Sequence, residues 1–169
     1  MNYLKLSGWF VLGALCLSIA SCSLKSAAPE SVTLSGGAWL DKINEGAELL
    51  RGLEIHLCDT STEDSLKRHF KPNFHMDNLS LRKITFESLH KGLIRDQENA
   101  KNVCIYSTQT DIDGKYAFED ISPNRYTLYA SVSSEDVVVW WVEYVNLKTD
   151  SRTLDLETEN AAGILTRYP

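Results

Sequence analysis

The chain has 169 residues, a formal net charge of −6, and 17 lysines and arginines against 23 acids. An acidic chain without a cluster of basic residues is not expected to bind nucleic acid, or to dock on anionic lipid by charge. The length is that of one domain.

At the amino terminus Lys5 precedes an uncharged apolar run from Trp9 to Ala20. That run is too short to cross about 30 Å of hydrocarbon as a helix, so residues 1–21 are expected to be an export signal. The run closes on Ile19-Ala20-Ser21-Cys22, which resembles the lipobox of bacterial lipoproteins. The resemblance implies cleavage before Cys22 and acylation of its sulfur, with a membrane partner engaged through lipid and no other cofactor. The alternatives are a secretory signal with an incidental cysteine, or an uncleaved anchor. Two or more acyl chains hold a protein stably, since each buried methylene contributes about 0.8 kcal/mol. Loss of Lys5 with the signal makes the chain one unit more acidic. Residues 22–31, small and polar around Pro29, read as a short lipidated tether. Ser23 is not the aspartate that retains many enteric lipoproteins in the inner membrane, which, if the cell is Gram-negative, tilts the expectation within the cell envelope to the outer membrane.

With Cys16 inside the signal and Cys22 lipidated, Cys58 and Cys104 remain as a pair. In an exported chain such a pair suggests a disulfide, the alternative being two separate thiols.

From Val32 onward short β-prone runs alternate with turn residues: Val32 to Leu40, Leu53 to Cys58, Val103 to Thr108, Lys115 to Glu119, Arg125 to Ser133, Val137 to Leu147 and Arg152 to Leu156. Leu53, Ile55 and Leu57 share one face against Glu54, His56 and Cys58 on the other. Tyr126, Leu128, Ala130 and Val132 likewise oppose Thr127, Tyr129 and Ser131. Seven such runs predict an all-β sandwich over residues 32–165. The unbroken apolar run Val137 to Val142 predicts a strand covered on both faces, or one presenting a tryptophan outward. Gly36-Gly37 marks a bulge or a close approach of backbones.

Residues 60–102 break the β pattern and predict a partly helical insertion. Ser61 or Thr62 can cap a short helix that Pro72 stops. Phe86, Leu89 and Leu93 then fall on one helical face, which predicts an apolar stripe packed onto the sandwich.

The segment Thr110-Asp111-Ile112-Asp113-Gly114-Lys115-Tyr116-Ala117-Phe118, followed by Ile121-Ser122-Pro123-Asn124-Arg125-Tyr126-Thr127-Leu128, resembles the carboxypeptidase regulatory-like domain, a prealbumin-like β-sandwich. Asp113-Gly114 would supply the positive φ values of a tight hairpin. Asn124 stands where the family has glycine, and asparagine tolerates the left-handed conformation that the turn would need. Arg51-Gly52-Leu53-Glu54-Ile55-His56-Leu57 looks like the family's earlier core strand. The resemblance implies a structural or binding accessory without activity of its own.

No catalytic or metal set is expected. Asp111, Asp113 and Gly114 lack the remaining oxygen ligands of a calcium loop, and His56, His69, His75 and His90 are scattered. The ending Thr166-Arg167-Tyr168-Pro169 differs from the Tyr-Arg-Gly-Ser tail of the prealbumin-like hydroxyisourate hydrolases. Arg125 to Ala130 contains no acid to promote the isopeptide bond of related pilin sandwiches. A hydrolytic function would need a buried acid or histidine cluster formed by the insertion.

The candidate binding surface is an aromatic set, Tyr129, Trp140, Trp141 and Tyr144, for a protein or glycan partner; the alternative is ordinary core with one exposed ring. The reading is a non-enzymatic envelope lipoprotein with a structural or protein-binding sandwich, or else a carbohydrate-binding accessory.

Overall fold

The structure, a computed structural model, describes residues 30–42, 46–62 and 79–167. The signal segment, Cys22 and the tether as far as Pro29 lie outside the described residues, as do His69, His75 and the helix expected between Thr62 and Pro72. Among the described residues the strands are β1 (Val32–Gly37), β2 (Trp39–Lys42), β3 (Gly46–Leu49), β4 (Glu54–Asp59), β5 (Tyr106–Gln109), β6 (Lys115–Ile121), β7 (Arg125–Ser133), β8 (Val137–Asn146), β9 (Arg152–Thr153) and β10 (Gly163–Thr166). One long helix, α1 (Leu79–Val103), interrupts them, and no described helix is long and apolar enough to cross a membrane.

Two sheets face each other. One has the order β6-β1-β9, the other β10-β8-β7-β4-β5, and β2 and β3 form a separate hairpin. The core between them follows the predicted alternation: Leu34, Ile55, Leu57, Tyr126, Leu128, Ala130, Val139 and Trp141 are buried there together. This is an all-β sandwich with a helical insertion. Tyr126 ties the corner after β6, its hydroxyl donating to the Ser122 carbonyl at 2.7 Å, four residues upstream.

The insertion forms a second core on the outer face of the five-stranded sheet. Phe86, Leu89, Leu93 and Ala100 on α1 pack with Tyr129, Val138, Trp140 and Val142. The stripe expected at Phe86, Leu89 and Leu93 is therefore the buried face of a 25-residue helix. It also explains the apolar run of β8, whose even-numbered residues from Val138 to Val142 meet the helix while Val139 and Trp141 meet the other sheet.

Several expectations are corrected. The run Val32 to Leu40 is split at Ala38, which bridges to Leu156 in parallel, so β1 and β2 are separate strands. Val103 belongs to the helix rather than to a strand, because Cys104 N–H still closes a helical turn on the Ala100 carbonyl at 2.9 Å; β5 begins only at Tyr106. The run Arg152 to Leu156 contributes two strand residues and the Leu156 bridge. Asn124 is not left-handed. The non-glycine residue with positive φ among those described is Asp120, at 52°. Its place is a β-bulge: Val32 pairs with Ile121 and Leu34 with Phe118, so Thr33 faces two residues, and an aspartate absorbs the extra one in the left-handed region. In the Asp113-Gly114 hairpin only Gly114 takes positive φ, 68°, while the Asp111 carboxylate accepts the Asp113 and Lys115 N–H groups, both at 2.8 Å.

Gly36 marks a close approach of backbones. A β-carbon there would stand 1.9 Å from the Leu154 carbonyl oxygen, where the chain of β9 runs beside β1.

Candidate functional site

Chemistry-bearing side chains gather where α1 crosses the outer face of the five-stranded sheet. Alternation along β4 sends Glu54, His56 and Cys58 to that face, and β5 adds Ser107 and Gln109 opposite them in register. Cys58 and Cys104 are joined by a disulfide across a sequence separation of 46 residues. The bond pins the carboxy-terminal end of the helix to the sheet.

Glu54 is the hub of the polar groups. Lys101 on α1 reaches its Oε2 at 2.8 Å, Gln97 donates to the same oxygen at 3.4 Å, and Gln109 donates to Oε1 at 3.3 Å. The Lys101 hydrogen bond holds the Glu54 carboxyl below the usual carboxylate range. Beside it lies a concavity of about 470 Å³ lined by Glu54, His56, Lys101, Ser107, Thr108 and Gln109. On the other side of Glu54, a groove of about 760 Å³ runs from Ala47 along Leu50 to Leu53 and on to Gln97 and Ser131.

His56 is buried, its ring stacked on Tyr129 with centroids 6.4 Å apart. Its Nδ1 is 2.8 Å from the Ser107 hydroxyl, and its Nε2 is buried with no hydrogen-bond partner. Burial lowers the His56 pKa below the ordinary imidazole value against the opposing pull of the Glu54 carboxylate, which keeps the ring neutral at pH 7. The same burial pushes the Tyr129 phenol up to about 12. A second histidine, His90 on α1, places Nδ1 2.5 Å from the Ser133 hydroxyl.

Two serine–histidine contacts therefore exist, and neither imidazole is hydrogen-bonded to a carboxylate among the described residues. The acid that could orient His56, Glu54, is committed to Lys101 and two glutamines. No group of three or more His, Cys, Asp or Glu side chains among the described residues could hold a metal. The arrangement can offer hydrogen bonds to a polar ligand; what it supplies to the fold is a polar seam between helix and sheet.

The aromatic set predicted as a binding surface is not assembled on a surface. Tyr129, Trp140 and Trp141 are 1%, 1% and 0% exposed, and Tyr144 is 47% exposed. The physical reason is the helix: it covers Tyr129 and Trp140, and the opposing sheet covers Trp141, whose indole N–H donates to the Glu157 carbonyl at 2.9 Å. An exposed aromatic strip built from these four residues is thereby excluded. The His56–Ser107 and Glu54–Lys101 pairs were missed because they join positions 51 and 47 residues apart. The available signal was the polar face of β4, where Glu54 and His56 alternate with apolar residues.

No protein-family model matches the chain, and no curated protein matches it. Among solved structures it is similar to a proposed carbohydrate binding protein of Pseudomonas aeruginosa, with a TM-score of 0.43 and 10% identity over 78% of this chain and 92% of that one. It is also similar to the major pilin subunit of Bacillus cereus, with a TM-score of 0.38 and 11% identity over 78% of this chain and 30% of the pilin. The minor pilin of Streptococcus agalactiae gives 0.34 and 10% over 77% of this chain and 45% of the pilin. The chain thus spans less than half the length of either pilin.

Proposed function

We propose that the protein is a lipid-anchored lipoprotein of the cell envelope whose sandwich is a non-enzymatic structural or protein-binding module of the carboxypeptidase regulatory-like kind. The observation that carries this reading is the Cys58–Cys104 disulfide. Disulfides persist in oxidising, extracytoplasmic compartments. With those two cysteines consumed, Cys22 is left at the end of the apolar run to take lipid. The hub of the polar seam, Glu54, is bound to protein partners rather than directed at a reacting atom, which favours binding over catalysis.

The test is metabolic labelling with an alkyne analogue of palmitate, followed by fractionation and intact mass under non-reducing conditions. The expected product is labelled, membrane-bound, starts at Cys22 and holds no free thiol. An unlabelled product, or a Cys22→Ala variant with unchanged fractionation, overturns the anchoring.

A further inference from the structure

We propose that one end of the sandwich, the end bearing Val103, Ile105 and Tyr144, rests on the lipid headgroups when the protein is anchored; this rests on the lipoprotein reading above. The topology fixes which end that is. The described chain enters at Glu30 and Ser31 and begins β1 at Val32, which pairs with Ile121 at the end of β6. The turn after Ile121 leads directly into β7 at Arg125, and Arg125 pairs with Asn146 at the end of β8. The entry point of the chain therefore shares one end of the sandwich with the start of β7 and the ends of β4 and β8.

On the helix side of the sheet the same end carries Tyr144 and Ile105 at the two ends of a row whose middle members, Thr127 and Cys58, are buried, with the exposed Asp59 and Arg125 at the neighbouring strand ends. Tyr144 pairs with Thr127, and Thr127 pairs with Cys58. One residue beyond β5, Ile105 continues the row, its N–H bonded to the Leu57 carbonyl at 2.9 Å. The helix ends just above, at Val103. Ile105, Val103 and Tyr144 are 55%, 58% and 47% exposed.

What covers these side chains follows from the length of chain before the described residues. Between Cys22 and Glu30 the backbone spans at most about 30 Å fully extended. A surface held that close meets the bilayer at a high effective concentration, so a patch too weak to bind membrane unaided can still orient an anchored body. Isoleucine and valine gain by leaving water, and tyrosine, apolar in its ring and polar at its tip, suits the headgroup level. The acidic chain gains nothing from anionic lipid, and a contact made through apolar side chains does not require it. Leu49 and Ile112, 44% and 76% exposed, lie at the opposite end, where the turn from β5 to β6 meets Leu49 beside Gly114, and face away from the membrane in this arrangement.

The experiment places the full-length acylated protein in phosphatidylcholine nanodiscs carrying a paramagnetic headgroup lipid and reads its NMR signals. The expected result is loss of the Val103, Ile105 and Tyr144 signals, with those of Leu49 and Ile112 retained. Equal loss at both ends, or persistence of the first three, overturns the proposal while intact mass and flotation still report an anchored protein. A product that carries no acyl chains and does not float overturns both readings. In the variant Ile105→Ser with Tyr144→Ser, acylation and flotation are expected to stay unchanged and the difference between the ends to disappear; an unchanged difference sinks the assignment to these residues.

Discussion

Gly163 on the edge strand β10 lies against the indole of Trp140, its cross-strand partner on β8; a β-carbon at Gly163 would stand 2.1 Å from Cζ2 of the ring. The absence of a side chain on one strand makes room for the largest side chain on the next. That ring in turn belongs to the apolar layer under the helix.

Gly163→Ala must displace either the ring or the strand, and overpacking of this kind costs about 1–3 kcal/mol. Urea unfolding of the variant is expected to show a lower midpoint at an unchanged slope. A stability within error of the parent would mean that Trp140 can move aside, against the packing described.

Removal of the disulfide by the pair Cys58→Ala and Cys104→Ala opens a loop of 46 residues. On the chain-entropy account this costs about 4 kcal/mol. Because Ile105 and β5 remain paired with β4, the sheet is expected to survive and the loss to appear as weaker protection of α1 amides in hydrogen exchange. Uniform loss of protection across the sheet would contradict that division.

Trp140 and Tyr144 lie four residues apart on the same face of β8, yet one is 1% and the other 47% exposed. Trp140→Ala is expected to cost about 3–5 kcal/mol, and Tyr144→Ser within about 0.5 kcal/mol of nothing in solution. Thermal unfolding of the two variants side by side checks the contrast. Comparable losses would place Tyr144 in the core.

Acid should weaken the protein in two windows. The folded-state pKa of His56 is depressed by burial below 6.5, so as pH falls from about 6.5 the unfolded chain takes a proton that the folded chain refuses. The contribution is present above 6.5 and lost as pH falls through the folded value. Glu54, lowered chiefly by its Lys101 hydrogen bond, acts with the same sign below 4.5. Half-exposed Lys101 limits that second effect to under about 1 kcal/mol. His56→Gln is expected to flatten the stability profile just below pH 6.5, and Lys101→Ala to flatten chiefly the lower window, with a smaller effect on the upper one because Lys101 also helps to lower His56. A His56→Gln profile that overlays the parent would remove His56 as the cause.

The sequence by itself determined the alternation that makes β4 and β7 core strands and the helical face of Phe86, Leu89 and Leu93, because each depends on spacing along the chain; it suggested the pairing of Cys58 with Cys104, and the structure joins them. Only the tertiary structure decided which aromatics see water. Exposure of Trp140 or Trp141 depends on what lies over each face of β8, and the cover comes from α1 and from the opposing sheet, elements far away in sequence. For the same reason, the left-handed non-glycine residue among those described is Asp120 rather than Asn124: the register between β1 and β6 needed an extra residue absorbed there, and no turn propensity encodes a register. The edge strand β10, four residues with a glycine opposite Trp140, carries too little pattern of its own to be read without its partner strand.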